Sequence, residues 1–151
     1  MPFLRSLPFL RSLPALLLVA TLLAGCARSG IDVQGDARLD RSLRSMTEQG
    51  GSVLLSDLTD FPWDSVYLSG GYTPGEEINR ALGERVVSDA YRYGYEADLL
   101  FFTHRGEVVR ALAVSTYFDQ LGTKWGSAVR VATTRAGKDL AAPYRLALRE
   151  P

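Results

Sequence analysis

Apolar and polar positions divide the chain into a short apolar leader and a longer, mixed remainder. The leader's apolar run goes from Ala15 through Leu16, Leu17, Leu18, Val19 and Ala20 to Leu22 and Leu23. Beyond it the pattern becomes periodic. Leu39, Leu43 and Met46 recur at helical spacing among the charged Arg38, Asp40, Arg41, Arg44 and Glu48. Asp36 stands at the N-cap position and Gly50-Gly51 at the end, so a one-sided surface helix is predicted here. A short apolar run, Val53-Leu54-Leu55, precedes the turn-rich residues 57–62. Ser65 to Ser69 then alternates Val66 and Leu68 against Ser65, Tyr67 and Ser69, the period of a strand. Thr73-Pro74-Gly75-Glu76 has the form of a capping box with proline at the first helical position, and Gly83 closes the short helix that follows.

In the second half, Tyr91, Tyr93 and Tyr95 alternate as on a strand. Asp98 to Thr103 is densely apolar, His104-Arg105-Gly106-Glu107 reads as a tight turn, and Val108 to Val114 returns as its partner. Further strands are expected at Ala128 to Thr133 and Tyr144 to Leu148. The predicted class is α+β: an antiparallel, meander-like sheet of five or six strands, covered by two helices on one face.

The leader has the three parts of a secretory signal: Arg5 and Arg11 without an acid, the apolar run, and small residues before Cys26. The run is about half the roughly 20 apolar residues that a membrane-spanning helix needs. Leu23-Ala24-Gly25-Cys26 resembles the lipobox of bacterial lipoproteins. That resemblance implies cleavage between Gly25 and Cys26 and a lipid, palmitate included, on the cysteine. Two or more acyl chains anchor a protein stably without spanning the bilayer. Three parts are therefore expected: a removed signal peptide over 1–25, a lipidated cysteine and flexible tether over 26–35, and one globular domain over 36–150. A tether of that length reaches roughly 15–20 Å, which keeps the domain near the membrane. In Gram-negative sorting, Ala27 after the cysteine resembles the pattern for the outer membrane, with the domain facing the periplasm.

Charge and cysteine count narrow the classes further. The 151 residues hold 17 basic and 17 acidic side chains. Losing the leader removes Arg5 and Arg11 alone, so the remainder is slightly acidic and has no basic excess with which to claim nucleic acid. Cys26 is the only cysteine. No intrachain disulfide can form, and the domain must be stabilised by its core.

The most individual stretch is Phe61-Pro62-Trp63-Asp64-Ser65-Val66-Tyr67 with Gly71-Tyr72-Thr73 beyond it. It resembles a pattern in uncharacterised small bacterial envelope lipoproteins, a Trp-Asp-x-Val strand leading to a Gly-x-Tyr turn and a short helix. The resemblance brings no activity with it. Trp63 reads either as a groove aromatic or as a core residue at the start of the strand, with Asp64 capping a turn. The burial habits of tryptophan favour the core. Tyr91, Tyr93 and Tyr95 could grip a glycan or a partner's edge, although packing with hydroxyls toward solvent is the simpler account. Arg110 and Arg130 in apolar strands suggest ion pairs with Glu107 or Asp98, or plain outward-facing charges.

Asp57, Asp60 and Asp64 lack the spacing of a calcium loop, so no metal is expected. His104, the only histidine, lies in a turn without a G-x-S-x-G elbow, and no catalytic residues or cofactor can be named. The expectation is a non-enzymatic envelope lipoprotein that binds a protein or cell-wall partner and is held to the membrane through Cys26. The alternative is a periplasmic enzyme or lipid-handling protein that uses carboxylates such as Asp64 and Glu76 and a tyrosine-lined pocket.

Overall fold

The computed structural model describes residues 30–94, 96–135 and 144–151. Gly25, Cys26 and Tyr95, named above, lie outside them. The class is α+β, with two α-helices and two sheets. The larger sheet has the order β1-β5-β4-β3-β6, built from Val33–Gly35 (β1), Ser65–Gly70 (β3), Asp98–His104 (β4), Glu107–Val114 (β5) and Thr123–Gly126 (β6). The smaller has the order β2-β7-β8, built from Ser52–Leu54, Arg130–Arg135 and Tyr144–Arg149. Helix α1 covers Ala37–Gln49 and α2 covers Gly75–Leu82. A single antiparallel meander is therefore incorrect: the strands divide between two sheets, and β1 pairs parallel to β5.

That parallel pair comes from residues expected to be tether. Val33 aligns with Ala111 and Gly35 with Ala113, and the Ile31 amide donates to Val86 O at 2.7 Å. The paired chain thus includes residues from Ile31, five before Asp36. Strands β1 and β6 are only three and four residues long, too short for a hydrophobic period to reveal.

Strand β4 is central, and six of its seven residues are buried. Its unbroken Leu99-Leu100-Phe101-Phe102 follows from having both faces covered. On one face, Leu100 and Phe102 join Val66, Leu68, Leu112 and Val114. These pack against Leu39 and Leu43 of α1 and against Val131, Leu146 and Leu148 of the smaller sheet. On the other, Leu99 and Phe101 join Tyr67 and Ala111 beneath Ile78 of α2 and Val86 and Val87. The polar alternates of β3 are buried for the same reason, with Tyr67 and Ser69 at 3% and 1% exposure. Helices on one face only would have left them in water.

Local sequence signals held at most ends. Asp36 accepts from the Arg38 and Leu39 amides at 2.9 and 3.0 Å, and Gly50 and Gly83 close α1 and α2 with φ of 77° each. The capping box did not form. Pro74 itself occupies the N-cap, without a side-chain cap, and helical residues begin at Gly75. The β4–β5 turn is a two-residue hairpin with positive φ at both Arg105 (54°) and Gly106 (84°), the geometry that matches strand twist.

The stretch around Tyr91 and Tyr93 is not a strand. It folds over α2 instead. Asn79 holds the residues before it: its Oδ1 accepts from the Val86 and Val87 amides at 2.9 and 3.1 Å, and its Nδ2 donates to Val87 O at 2.8 Å. The Gly75 amide donates to Tyr91 O at 3.1 Å. A coil pinned in this way packs Tyr91 and Tyr93 on the core without any alternating face.

Candidate functional site

The residues singled out from the sequence do not meet. Trp63 is 8% exposed, its Nε1 donates to Thr59 Oγ1 at 2.9 Å, and its ring stands edge-on to Phe102. It belongs to the core. Asp64 caps a turn distant in sequence: its Oδ2 accepts the Arg105 amide at 2.6 Å, while its own amide donates to Thr103 O. His104 Nδ1 lies 3.8 Å from the same carboxylate, so the histidine is half-buried beside Asp64 and not free in a turn. Glu76 pairs with Arg80 at 2.6 Å on exposed α2. Asp64 immediately precedes β3, whereas Glu76 lies in the first turn of α2, beyond the other end of that strand. Neither carboxylate lines the grooves described below.

Arg110 and Arg130 also find other partners. Arg110 lies over the Phe61 ring at 4.6 Å, and Arg130 donates to Ser52 Oγ and Ser52 O at 3.0 and 3.2 Å. Tyr91 is held against the second core cluster, and its hydroxyl is buried without a hydrogen-bond partner among the described residues. Burial pushes that phenol above its usual pKa, and Tyr93 and Asp32 add to the shift.

A different set of side chains converges at one end of the larger sheet. Because β3, β4 and β5 alternate in direction, Gly70, Asp98 and Val114 align across the C-terminal end of β3, the N-terminal end of β4 and the C-terminal end of β5. The loops leaving this end enclose a groove of about 590 Å³, lined by Gly70, Gly71, Tyr72, Thr73, Glu96, Ala97, Asp98, Tyr117 and Leu121. Tyr72, Tyr117 and Leu121 are 65%, 53% and 49% exposed. They make up three of the chain's four exposed large apolar side chains among the described residues. Their gathering on one groove is the feature that distinguishes a recognition surface from scattered apolar residues.

The groove is partly preformed. The Tyr117 hydroxyl lies 3.3 Å from both the carbonyl oxygen and Oε2 of Glu96. Desolvation, then the neighbouring Glu96, Asp98 and Tyr72, hold this phenol above its usual pKa. Asp98 is 4% exposed, and its Oδ2 accepts the Phe118 amide at 2.7 Å. Burial pushes its carboxyl up to about 6, against the opposing effect of that hydrogen bond.

Glu96 and Ala97 also line a second groove, of about 480 Å³, with Asp36, Asp40, Tyr93 and Ser115. Among the described residues neither groove is lined by a lysine or arginine, although Arg44 reaches Asp40 and Ser115 of the second at 3.4 and 3.2 Å. The same end of the sheet is therefore concave, aromatic and acidic.

Sequence reasoning passed over Tyr117, Leu121 and Glu96, quoted Tyr72 only as part of a turn, and named Asp98 only as a strand start and an ion-pair partner for Arg110 or Arg130. Their one common signal is a position at or just outside a strand end. Which strand ends are neighbours depends on the pairing order, and local patterning does not carry that order.

Among the described residues no helix is long and apolar enough to cross a membrane, and no cluster of three or more His, Cys, Asp or Glu is placed to hold a metal ion. Comparison with protein-family models, with curated proteins and with solved structures finds no match.

Proposed function

We propose that the protein is a membrane-anchored envelope lipoprotein, attached through lipid on Cys26, whose domain binds a partner in the Tyr72–Tyr117–Leu121 groove. The observation that carries the binding reading is the concentration of exposed apolar side chains on that one concave surface. The anchoring reading rests on the order of charge, apolar run, small residues and cysteine in the first 26 residues.

Strand direction fits the two readings together. The chain enters the domain at Ile31 and runs through β1 parallel to β5, so it enters on the side where β5 begins. The groove lies where β5 ends, and with Val33 beside Ala111 the entry at Ile31 falls about five strand residues, roughly 17 Å, from that end. Residues 26–30 span at most roughly 17 Å, and attachment on the side away from the groove favours a groove that faces away from its own bilayer. A protein or cell-wall partner then fits the position better than the anchoring lipid. In a Gram-negative envelope, Ala27 supports the outer membrane with the domain in the periplasm.

The test has two parts. Mass spectrometry of the mature N-terminus should find a lipid-modified Cys26, and Cys26→Ser should release the protein into the soluble fraction. Cross-linking in intact cells should capture a partner that a Tyr72→Ala/Tyr117→Ala/Leu121→Ala variant loses. Unmodified Cys26 in the membrane fraction removes the anchor. Capture unchanged by the triple variant removes the groove.

One observation favours a second reading, that of an enzyme. Asp98 combines a carboxyl pushed up to about 6 with a place beside two tyrosines in a groove, as a general acid would. Its hydrogen bond to the Phe118 amide gives it structural work already. Turnover abolished by Asp98→Asn with the fold intact would favour the enzyme.

A further inference from the structure

The groove's chemistry narrows what it can hold. Its floor and one wall carry carboxylates, Asp98 and Glu96, and among the described residues no lysine or arginine lines it. Oδ2 of Asp98 is engaged by the Phe118 amide, whereas no hydrogen bond reaches Oδ1 from the described residues. Asp98 is 4% exposed but is not among the buried side chains left without a partner, so its second oxygen keeps access to solvent in the groove. A donor brought by a ligand would replace that solvent with a charge-assisted hydrogen bond. The rim adds two exposed phenol rings, Tyr72 and Tyr117, and the aliphatic Leu121. Tyrosine faces attract cations through the ring quadrupole, and an aliphatic wall suits a methylene stem. In the adjoining groove Asp36 caps α1 and Asp40 pairs with Arg44, so the carboxylates left for a ligand are Glu96 and Asp98. An anionic ligand would be repelled by Glu96 and Asp98, and a purely apolar one would take solvent from Asp98 without replacing it.

We propose that the groove receives an aliphatic primary ammonium carried on a peptide, with the stem against Leu121, the ammonium between the Tyr72 and Tyr117 rings, and its charge on Glu96 and Asp98. This rests on the reading of the groove as a binding face and names its ligand class. A lysine side chain of a protein partner and the free amine of a cell-wall peptide present the same group. The tyrosines, being part of the rim in the unliganded chain, confer little ordering cost, since Glu96 already fixes Tyr117.

The test uses the full domain and two probes of matched shape, N-acetyl-lysine amide and N-acetyl-norleucine amide. In a ¹H–¹⁵N titration at pH 7.5, the lysine probe should shift the amides of residues 70–73, 96–98 and 117–121 saturably. The norleucine probe should bind about fivefold or more weakly, as expected when one partly exposed charge contact of about 1 kcal/mol is missing. Glu96→Gln should weaken the lysine probe and leave norleucine unchanged, a contrast that misfolding would not produce. Equal binding of both probes, or no binding of the lysine probe, overturns the proposal. The binding-face reading fails separately, when in-cell capture survives loss of Tyr72, Tyr117 and Leu121. If capture does depend on the groove, the same titration with an N-acetylated lysine peptide and with a peptide bearing a free diamino acid amine identifies the source.

Discussion

Asp98 and Phe118 are joined by a buried hydrogen bond of 2.7 Å, in which the Phe118 amide donates to the carboxylate at the first position of β4. Phe118 packs in the core beneath α1, and its backbone bridges to Leu146 of the smaller sheet. One carboxylate thus ties the end of the larger sheet to the segment that reaches the smaller, and it does so on the floor of the groove.

That placement makes stability depend on pH in a definite direction. Burial raises the Asp98 carboxyl from 3.8 to about 6 in the folded protein, so the folded state holds its proton more tightly than the unfolded one. Its contribution is fully present below about pH 4 and is lost as pH rises through about 6. Asp98→Asn keeps an oxygen for the Phe118 amide and removes the charge. The variant should be more stable than the parent at pH 7.5, by about 1–2 kcal/mol given 1.36 kcal/mol per pKa unit and some solvent relaxation. The difference should shrink to near zero at pH 4, as read by urea denaturation at both pH values. Asp98→Ala leaves the amide without an acceptor and should be less stable than Asp98→Asn throughout, by about 1–3 kcal/mol.

Asn79 offers a prediction about the coil that replaces the expected tyrosine strand. Its amide group makes three hydrogen bonds to Val86 and Val87 and a fourth, at 3.1 Å, to Asp89. Replacing it by alanine leaves two backbone amides unpaired beside buried Val86 and Val87. A loss of about 2–3 kcal/mol is expected. Amide hydrogen exchange should quicken at residues 86–91 more than in β4, which marks a local release of that coil. Uniform exchange across the domain would contradict the local role.

The sequence made legible what depends on neighbours in the chain. The Asp36 cap, the Gly50 and Gly83 helix ends and the two-residue β4–β5 hairpin are each encoded within a few residues. The burial of Trp63 follows from its size. What escaped depends on partners far away. Tyr91 and Tyr93 alternate as strand residues would, yet Asn79 and Gly75 hold their segment against α2, and this tertiary pairing overrides a two-residue period. Val33–Gly35 looks like tether because a polar three-residue strand has no periodicity. Only the free edge of β5 makes it a strand. The groove escaped for the same reason. Tyr72, Glu96, Tyr117 and Leu121 are unremarkable loop residues until strand order brings three loops to one end.

Asp64 supports that hairpin from outside. Arg105 holds a positive φ of 54°, unusual for a residue other than glycine, and its amide is satisfied by Asp64 Oδ2. Asp64→Ala should destabilise the domain by about 1–2 kcal/mol, the cost of an unmade charge-assisted bond near the surface. Arg105→Gly relieves the backbone conformation and should recover part of the loss. A double-variant thermal melt no higher than that of Asp64→Ala alone would show that turn strain is not what Asp64 offsets.

Gly75 sets the closest approach in the fold. A Cβ there would lie 1.9 Å from the Ser88 carbonyl oxygen and 3.0 Å from the Tyr91 Cβ, distances that backbone cannot accommodate without moving. The glycine begins α2, a position where a side chain would ordinarily favour the helix. Helix propensity and packing therefore predict opposite signs for Gly75→Ala. Packing should prevail, because propensity is worth about 1 kcal/mol and overpacking about 1–3 kcal/mol or more when the obstacle is main chain. The variant should lose stability and should also lose the Gly75 amide's bond to Tyr91 O, which lies in the same contact. Tyr93 would shift with that segment. Since its amide donates to Gly71 O at 3.1 Å on the wall of the groove, the groove residues Gly71 and Tyr72 should show altered amide chemical shifts in Gly75→Ala. A variant as stable as the parent, with shifts confined to α2, would mean that the coil over α2 has room to retreat and does not brace the groove.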